Sequence, residues 1–231
     1  MNKDLQEAIK IYSTGTHKEL NAFLLDKSKD NLIAIFNDLL TTYINDKNSS
    51  TLREFITVAV AGYNHNEEKI GYNGYRQTTI SSGEYEYCEV KPKNIDRADL
   101  EKYKNGEKKT IRKLDAGGNF TDYTWERFDK DLQENLHMLI SGFVDGKLIY
   151  IFEFPFSNID FTTKLKKQLE KAFPNRQRRT GTFLRSANFN FSDFMFSNNF
   201  EIVFLLSKKE LKEYEEFFNG NFFKEMIKYA K

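Results

Sequence analysis

Apolar residues recur at helical spacing through the first quarter of the chain. Residues 3–63 contain no proline, and Gly15 is the only glycine before Gly62. The widest apolar stripe comprises Leu32, Ile33, Ile35, Phe36, Leu39, Leu40 and Tyr43. A later helix begins near Thr51, where Glu54 completes a capping-box pattern. We therefore predict a layer of helices over residues 1–63.

The pattern then changes from helical spacing to strand-like alternation. Aromatic and β-branched residues flank a turn at 81–83 in the segment GYNGYRQTTISSGEYEYCEVKPK, residues 71–93. This pattern predicts a β-hairpin whose second strand covers 85–91. Because side chains alternate across a strand, Glu89 and Lys91 leave one face about 7 Å apart, while Cys88 and Val90 leave the other.

Two apolar segments follow the hairpin. Residues 121–143 carry apolar side chains three and four apart, which predicts a long helix. Residues 147–156, KLIYIFEFPF, are almost continuously apolar, as in a strand buried on both faces. The length between hairpin and strand suits a crossover to a parallel neighbour. We expect an α/β fold with a mixed β-sheet, the N-terminal helical layer and the long helix packed on the sheet.

The last part of the chain predicts further short elements: a basic helix over 163–173, a half-buried strand within 183–196, a strand over 201–206, and a helix over 208–229 interrupted near Gly220. Length alone favours a single core. We divide one domain, 1–231, into a helical layer (1–63), a catalytic core (64–156) and a part for DNA contact with the C-terminal sheet and helix (157–231).

Composition narrows the functional classes. The net charge is +1, from 35 Lys and Arg against 34 Asp and Glu, so nucleic-acid binding has to rest on local patches. The single cysteine, Cys88, excludes an intramolecular disulfide and a multi-cysteine zinc site. No apolar run approaches about 18 residues, and the N-terminus is too polar for a signal peptide. We expect a cytoplasmic protein without a membrane partner.

One acidic-any-lysine pattern stands out among five in the chain. The five are Glu67–Lys69, Glu89–Lys91, Glu107–Lys109, Asp145–Lys147 and Glu210–Lys212. Only Glu89 and Lys91 lie on a strand of apolar character. Burying a carboxylate and an ammonium costs several kcal/mol unless they are paired or used in chemistry. This pair is our candidate for catalysis, with a structural ion pair as the alternative.

The hairpin, Glu89-Val90-Lys91, the following helix and the strand at 147–156 resemble the PD-(D/E)XK nuclease core of type II restriction endonucleases. The resemblance covers roughly residues 50–156. It implies that Glu89 ligates Mg²⁺ together with the Val90 carbonyl. It also implies that Lys91 orients or polarises the attacking water and offsets charge on the phosphate.

The family pattern places an acidic ligand on the preceding strand, where this chain has Asn73. An amide oxygen can ligate Mg²⁺ but brings no charge, so we expect another carboxylate to contribute. Glu54 is the first candidate, and the others are Glu68, Glu84 and Glu86. A regular strand would point Glu86 to the Cys88 face, away from Glu89.

Basic and amide side chains supply the candidates for DNA contact. They are Arg176, Gln177, Arg178, Arg179, Arg185, Asn188 and Asn190, with Lys108 and Lys109 in a basic segment that follows the hairpin. Arginine pairs with guanine, and asparagine or glutamine with adenine, while lysine mostly neutralises phosphate. The alternative is a solvated basic surface. The three histidines lack metal-ligand spacing, and we expect His137 at the surface or core edge of the long helix.

Taken with the resemblance, these features predict a type II restriction endonuclease that hydrolyses duplex DNA with Mg²⁺. A palindromic site would require a homodimer with matching two-fold symmetry. The Lys-, Asn- and Phe-rich composition suggests an A·T-rich site. The alternatives are a repair or mobile-element nuclease with the same core, and a non-catalytic DNA- or protein-binding module.

Overall fold

A mixed six-stranded β-sheet organises the chain. The computed structural model describes residues 3–45, 50–66, 72–77, 84–134, 136–177 and 181–231. The strands, in spatial order, are β1 (Asn64–His65), β2 (Gly74–Gln77), β3 (Tyr85–Ile95), β5 (Leu136–Val144), β6 (Lys147–Pro155) and β8 (Glu201–Leu205). β3 and β5 run parallel, and every other neighbouring pair is antiparallel. The predicted mixed α/β sheet is confirmed.

The predicted N-terminal helices are also confirmed and lie on one face of this sheet. They are α1 (Lys3–Thr14), α2 (His17–Leu25), α3 (Lys29–Asn45) and α4 (Ser50–Val60). Phe55 and Val58 of α4 share an apolar cluster with Cys88 and Val90 of β3. Cys88 is fully buried, as predicted. Among the described residues, no helix combines the length and apolar character that a membrane crossing requires.

The opposite face carries the larger core. Its elements are α5 (Arg97–Lys104), α6 (Trp125–Gln133), α7 (Ile159–Ala172), α8 (Lys208–Glu213), α9 (Gly220–Tyr229), and a two-stranded antiparallel ribbon of β4 (Gly118–Tyr123) and β7 (Leu184–Phe189). Stacked and edge-on phenylalanines fill this core. Phe154 and Phe194, for example, lie with ring centroids 4.3 Å apart. The 22 phenylalanines of the chain are thus largely a packing feature.

The hairpin forms as predicted, from β2 and β3. Their register runs from Gln77 opposite Tyr85 to Gly74 opposite Cys88, and the predicted turn at 81–83 lies outside the described residues. β3 continues to Ile95, well beyond this register. Among the described strands, residues 89–95 therefore pair on one side only, with β5. In the described part of the chain, the second half of β3 thus has an edge without a strand neighbour, which we call the free edge of β3.

The predicted long helix over 121–143 is wrong. The structure divides that segment among the end of β4, the helix α6 and the strand β5. β5 is buried on both faces between β3 and β6, and such a strand satisfies the same three-and-four spacing as a helix. The predicted crossover from the hairpin to the strand at 147–156 is also wrong, because the crossover from β3 leads to β5. β6 returns antiparallel through Asp145-Gly146, whose φ angles of 49° and 79° suit the Asp-Gly hairpin signal.

Gly142 of β5 is a position where a side chain would disturb this core. A Cβ there would lie 2.3 Å from Cε1 and 2.5 Å from Cζ of Tyr150. Tyr150 is fully buried and stacked on Phe152, so its ring has no room to move. We expect Gly142→Ala to lower the free energy of unfolding by about 3 kcal/mol, measured by urea denaturation.

Gly220→Ala is the matched control, because a Cβ at Gly220 meets nothing within 4 Å. Its free energy of unfolding should stay close to that of the wild type. Equal stability of the two alanine variants would contradict the packing described for β5.

Candidate active site

A polar cavity of about 650 Å³ lies along the free edge of β3. Its walls come from α4, β3, the segment before β4, and the ribbon. Predicted site residues from distant parts of the chain line it: Glu54, Val90, Lys91, Asn188 and Asn190. The structure thus brings together a carboxylate, an ammonium and amide side chains that the sequence separates by more than a hundred positions.

Glu89 and Lys91 leave the same face of β3, and Lys91 lines the cavity. The Lys91 Nζ lies 2.5 Å from the Glu89 Oε1, and Glu89 is only 8% exposed. The ammonium also lies 4.8 Å from the centre of the Phe120 ring. Burial in apolar surroundings strengthens such an ion pair and makes the loss of either partner costly.

Arg127 of α6 adds a second cation to Glu89. Its Nη2 lies 3.3 Å from the Glu89 Oε1, and its Nε lies 3.8 Å from Asp131 Oδ2. The pKa of Asp131 is raised to about 7, mainly because the side chain is buried. Arg127 opposes this shift, and the charge of Glu89 adds to it. The Tyr123 hydroxyl donates a hydrogen bond to Asp131 at 3.4 Å. Sequence reasoning missed Arg127 and Asp131, although their i,i+4 spacing on a helix is a detectable signal.

Asn73 links α4 to the edge of β3. Its Oδ1 accepts the Val90 N–H at 2.7 Å, and its Nδ2 donates to Glu54 Oε2 at 3.2 Å. The side-chain oxygen predicted to bind a metal is therefore engaged by the backbone. Because N–H and C=O of one residue leave an extended strand toward the same neighbour, the Val90 carbonyl faces the free edge.

The oxygen atoms near this edge are of the type that binds a hard cation such as Mg²⁺. The oxygens available around the edge are the carboxylates of Glu89 and Glu54 and the carbonyl of Val90, which are the ligand types that Mg²⁺ takes in proteins. Asn73 contributes by holding Glu54 and Val90 in place. Lys91 and Arg127 balance the charge of Glu89.

A second polar cluster lies on the other face of the sheet. Ligand atoms of Glu86, His137 and Glu153 lie within 4.8 Å of one another. His137 Nδ1 lies 2.6 Å from Glu153 Oε1, and Tyr63 donates to the same oxygen at 2.7 Å. Arg76 bonds both carboxylates, at 2.6 Å to Glu86 and 2.8 Å to Glu153. The Arg76 guanidinium therefore supplies the positive charge between these two carboxylates.

These contacts decide the charge state of Glu153. Burial raises its pKa, but the hydrogen bonds from His137 and Tyr63 and the charge of Arg76 bring it below its usual value. The prediction that His137 lies on a helix is wrong, since it sits on β5; its side chain is 17% exposed, as expected at a core edge. Glu86 lies on the Cys88 face, as strand alternation predicted. The signal for this cluster was Glu153 itself, a lone charge within an apolar strand.

Of the remaining predicted carboxylates, Glu84 is exposed just before β3, and Glu68 lies outside the described residues. Asp115, which was not predicted, lines the cavity and accepts a hydrogen bond from Lys93 at 2.7 Å. It lies in the segment between α5 and β4.

The predicted DNA contacts fall into two groups. Asn188 and Asn190 line the cavity, and Arg185 is exposed on β7. Arg176 lies elsewhere, pairing with Asp129 at 2.7 Å and stacking over Trp125. Gln177 is exposed beside it, and Arg178 and Arg179 lie outside the described residues.

The basic segment after β3 contributes one cation to the cavity, Arg112. Lys108 instead pairs with Asp99 at 2.6 Å, and Lys109 is exposed. Lys104 lies 2.5 Å from Glu216 of the C-terminal part. Two cations of this segment, Lys104 and Lys108, are therefore held by ion pairs.

No protein-family model, curated protein or solved structure matches this chain. The chemistry of the cavity and of the side chains around it is therefore the basis for assigning a function.

The buried Asp131 predicts a pH effect on stability. Its pKa of about 7 in the folded protein exceeds the value of about 3.9 in the unfolded chain. The folded state then holds the proton more tightly, so the stability that Asp131 contributes is complete below pH 4 and is lost as the pH rises through 7. Between pH 5 and 8 the wild type should lose on the order of 2 kcal/mol relative to Asp131→Asn in urea denaturation.

Asp129→Asn on the same helix is the control, because Asp129 has a side chain 37% exposed. That variant should keep the pH dependence of the wild type. Identical pH profiles for the wild type and Asp131→Asn would contradict the proposed protonation.

Proposed function

We propose that this protein is a Mg²⁺-dependent endonuclease that hydrolyses phosphodiester bonds in duplex DNA. The observation that carries this proposal is the ion pair of buried Glu89 and half-buried Lys91, 2.5 Å apart, in which Lys91 lines a polar cavity at the edge of β3. Charged groups that the fold buries at high cost cluster at functional sites. Among the described strands, β2 pairs with β3 only as far as Cys88, so the edge beside the cavity has no strand neighbour there.

Each neighbouring side chain has a role in such a reaction. Lys91 reaches both Glu89 and the cavity, so it can orient a water molecule and offset charge that grows on the phosphate. Arg127 holds the Glu89 carboxylate from α6. Arg112 and Lys93 place positive charge on the cavity wall, where phosphate groups would lie.

Glu89, Glu54 and the Val90 carbonyl would hold the Mg²⁺ ion. When bound, Mg²⁺ polarises a phosphoryl oxygen and stabilises charge on it. Asn73 positions two of these donors through its hydrogen bonds to Val90 and Glu54. In this proposal it acts as a positioning residue and leaves the ligand role to the carboxylates.

The finer proposal is a type II restriction endonuclease, acting as a homodimer on a palindromic site. Support comes from the sheet: a hairpin carrying Glu89-Val90-Lys91, followed by a crossover to a parallel strand, is the arrangement that the PD-(D/E)XK resemblance implies. A repair or mobile-element nuclease with the same core would differ in cutting DNA by structure.

One observation favours a second candidate, a non-catalytic DNA-binding module. The same Glu89 oxygen accepts from Lys91 and Arg127, and the Asn73 oxygen is taken by Val90. The charges around Glu89 are thus balanced without a metal ion. Such a protein would bind DNA in the cavity and leave it intact.

Removal of either member of the pair should abolish cleavage. Glu89→Ala loses a metal-binding carboxylate, and Lys91→Ala loses the charge that faces the phosphate. We expect each to reduce Mg²⁺-dependent cutting of phage DNA by about 100-fold or more, measured on gels over time. Both variants should still bind DNA in Ca²⁺.

Glu107→Ala is the matched control, since Glu107 belongs to the same acidic-any-lysine pattern but is exposed. It should cut at the wild-type rate. Discrete fragments from the wild type support a restriction enzyme, a smear supports a non-specific nuclease, and intact DNA supports the binding module. Retained cutting by Glu89→Ala or Lys91→Ala would refute the assigned site.

A further inference from the structure

The ribbon of β4 and β7 has one buried and one exposed face. Gly118, Phe120, Ala187 and Phe189 turn inward, and the latter three are at most 4% exposed. The outward positions are Asn119 opposite Asn188 and Thr121 opposite Ser186. Strand alternation therefore places four uncharged hydrogen-bonding side chains on one surface.

These outward side chains are linked to one another. Asn119 Nδ2 donates to Ser186 Oγ at 3.2 Å, and Ser186 Oγ donates to Asn188 Oδ1 at 3.0 Å. Among the described residues, the Asn119 side-chain oxygen and the Asn188 side-chain nitrogen have no hydrogen-bond partner. Asn119 and Asn188 can therefore each form hydrogen bonds to a ligand. Together they present an acceptor and a donor, which suits a ligand that has both a donor and an acceptor.

Gln168 of α7 fixes the outer edge of the ribbon. Its Nε2 donates to the Asn188 carbonyl at 2.7 Å, and its Oε1 accepts the Asn188 N–H at 2.8 Å. The side chain thus replaces a neighbouring strand and holds the backbone of Asn188 in register. Recognition surfaces built on rigid elements are more precise than those on loops.

We propose that the exposed face of the β4–β7 ribbon enters the major groove of duplex DNA and selects A·T pairs. The groove is about 12 Å wide and admits a two-stranded ribbon. Asparagine pairs bidentately with adenine, and a threonine methyl contacts the thymine methyl. The inference rests on the proposed function for the identity of the ligand, duplex DNA.

Charge around the ribbon agrees with this partner. Asn119 and Asn188 line the cavity that also contains Lys91 and Arg112, so base reading and the proposed cleavage would take place side by side. Lys164 and Lys171 lie one turn before and after Gln168 on α7, along the ribbon edge. Lysines in that position suit the phosphates that border a groove.

The test is a binding selection that does not depend on cleavage. The wild-type protein in Ca²⁺ is incubated with a pool of random duplexes, and bound DNA is sequenced. We expect selected sites with A·T pairs at defined positions. The double variant Asn119→Ala with Asn188→Ala should lose that preference and bind the selected duplex about 10- to 100-fold more weakly, with binding of random DNA changed by less than about threefold.

Asn221→Ala on α9 is the control, since Asn221 is exposed and far from the ribbon in sequence. It should keep the preference and affinity of the wild type. Where the alanine variants lower the melting temperature, Asn119→Ser with Asn188→Ser removes the bidentate contact and keeps a polar side chain.

Selection of sites without A·T preference, or an unchanged preference in the double variants, would overturn the inference. Failure of the proposed function gives a different result. A protein that selects A·T sites through the ribbon but leaves DNA intact in Mg²⁺ would refute the nuclease and keep the ribbon. A protein that still cuts with the same preference after both substitutions would support the nuclease and refute recognition through the ribbon.

Discussion

The ion pair between Glu89 and Lys91 is the constraint on which the candidate site depends. Both side chains leave one face of β3, in the part of the strand that pairs with β5 but no longer with β2. The parallel pairing holds the backbone rigid while the other edge stays open to a ligand. Burial of Glu89 makes the pair expensive to form without compensation, and Lys91 with Arg127 supplies that compensation.

The sheet keeps two groups of charges apart. Glu89 faces α6 and the ribbon, whereas Glu86 and Glu153 face the N-terminal helices. Consecutive side chains of a strand leave opposite faces, so strand alternation places Glu89 on one face of β3 and Glu86 on the other. The second group is closed by Arg76, which ties β2, β3 and β6 together. The first group borders a cavity, and this difference separates a structural network from a candidate site.

Sequence patterns predicted the parts of the fold that depend on local signals. The helices of the first layer, the hairpin and the strand β6 follow from spacing and turn residues. The division of 121–143 was not predicted, because a strand buried on both faces and a helix share apolar spacing over short segments. The Asp145-Gly146 turn is the local signal that separates β5 from β6.

The site was predictable where chemistry lies within one strand, as for Glu89, Val90 and Lys91. Contacts that depend on the crossover were not, because Arg127 and Asp115 meet β3 only after β4 and α6 are placed. The same holds for Asn73: its position was predicted, whereas its bonds to Glu54 and Val90 depend on how α4 packs. Contacts between polar side chains of distant elements leave no periodic pattern in the sequence.

Manganese binding tests the central claim most directly, since Mn²⁺ takes the same oxygen ligands as Mg²⁺ and is detected by electron paramagnetic resonance. Titration of the protein without DNA should show bound Mn²⁺ in the wild type and in Glu86→Gln. It should show none in Glu89→Gln and weaker binding in Glu54→Gln. Unchanged binding in Glu89→Gln, or a loss confined to Glu86→Gln, would contradict the assignment of the cation to the edge of β3.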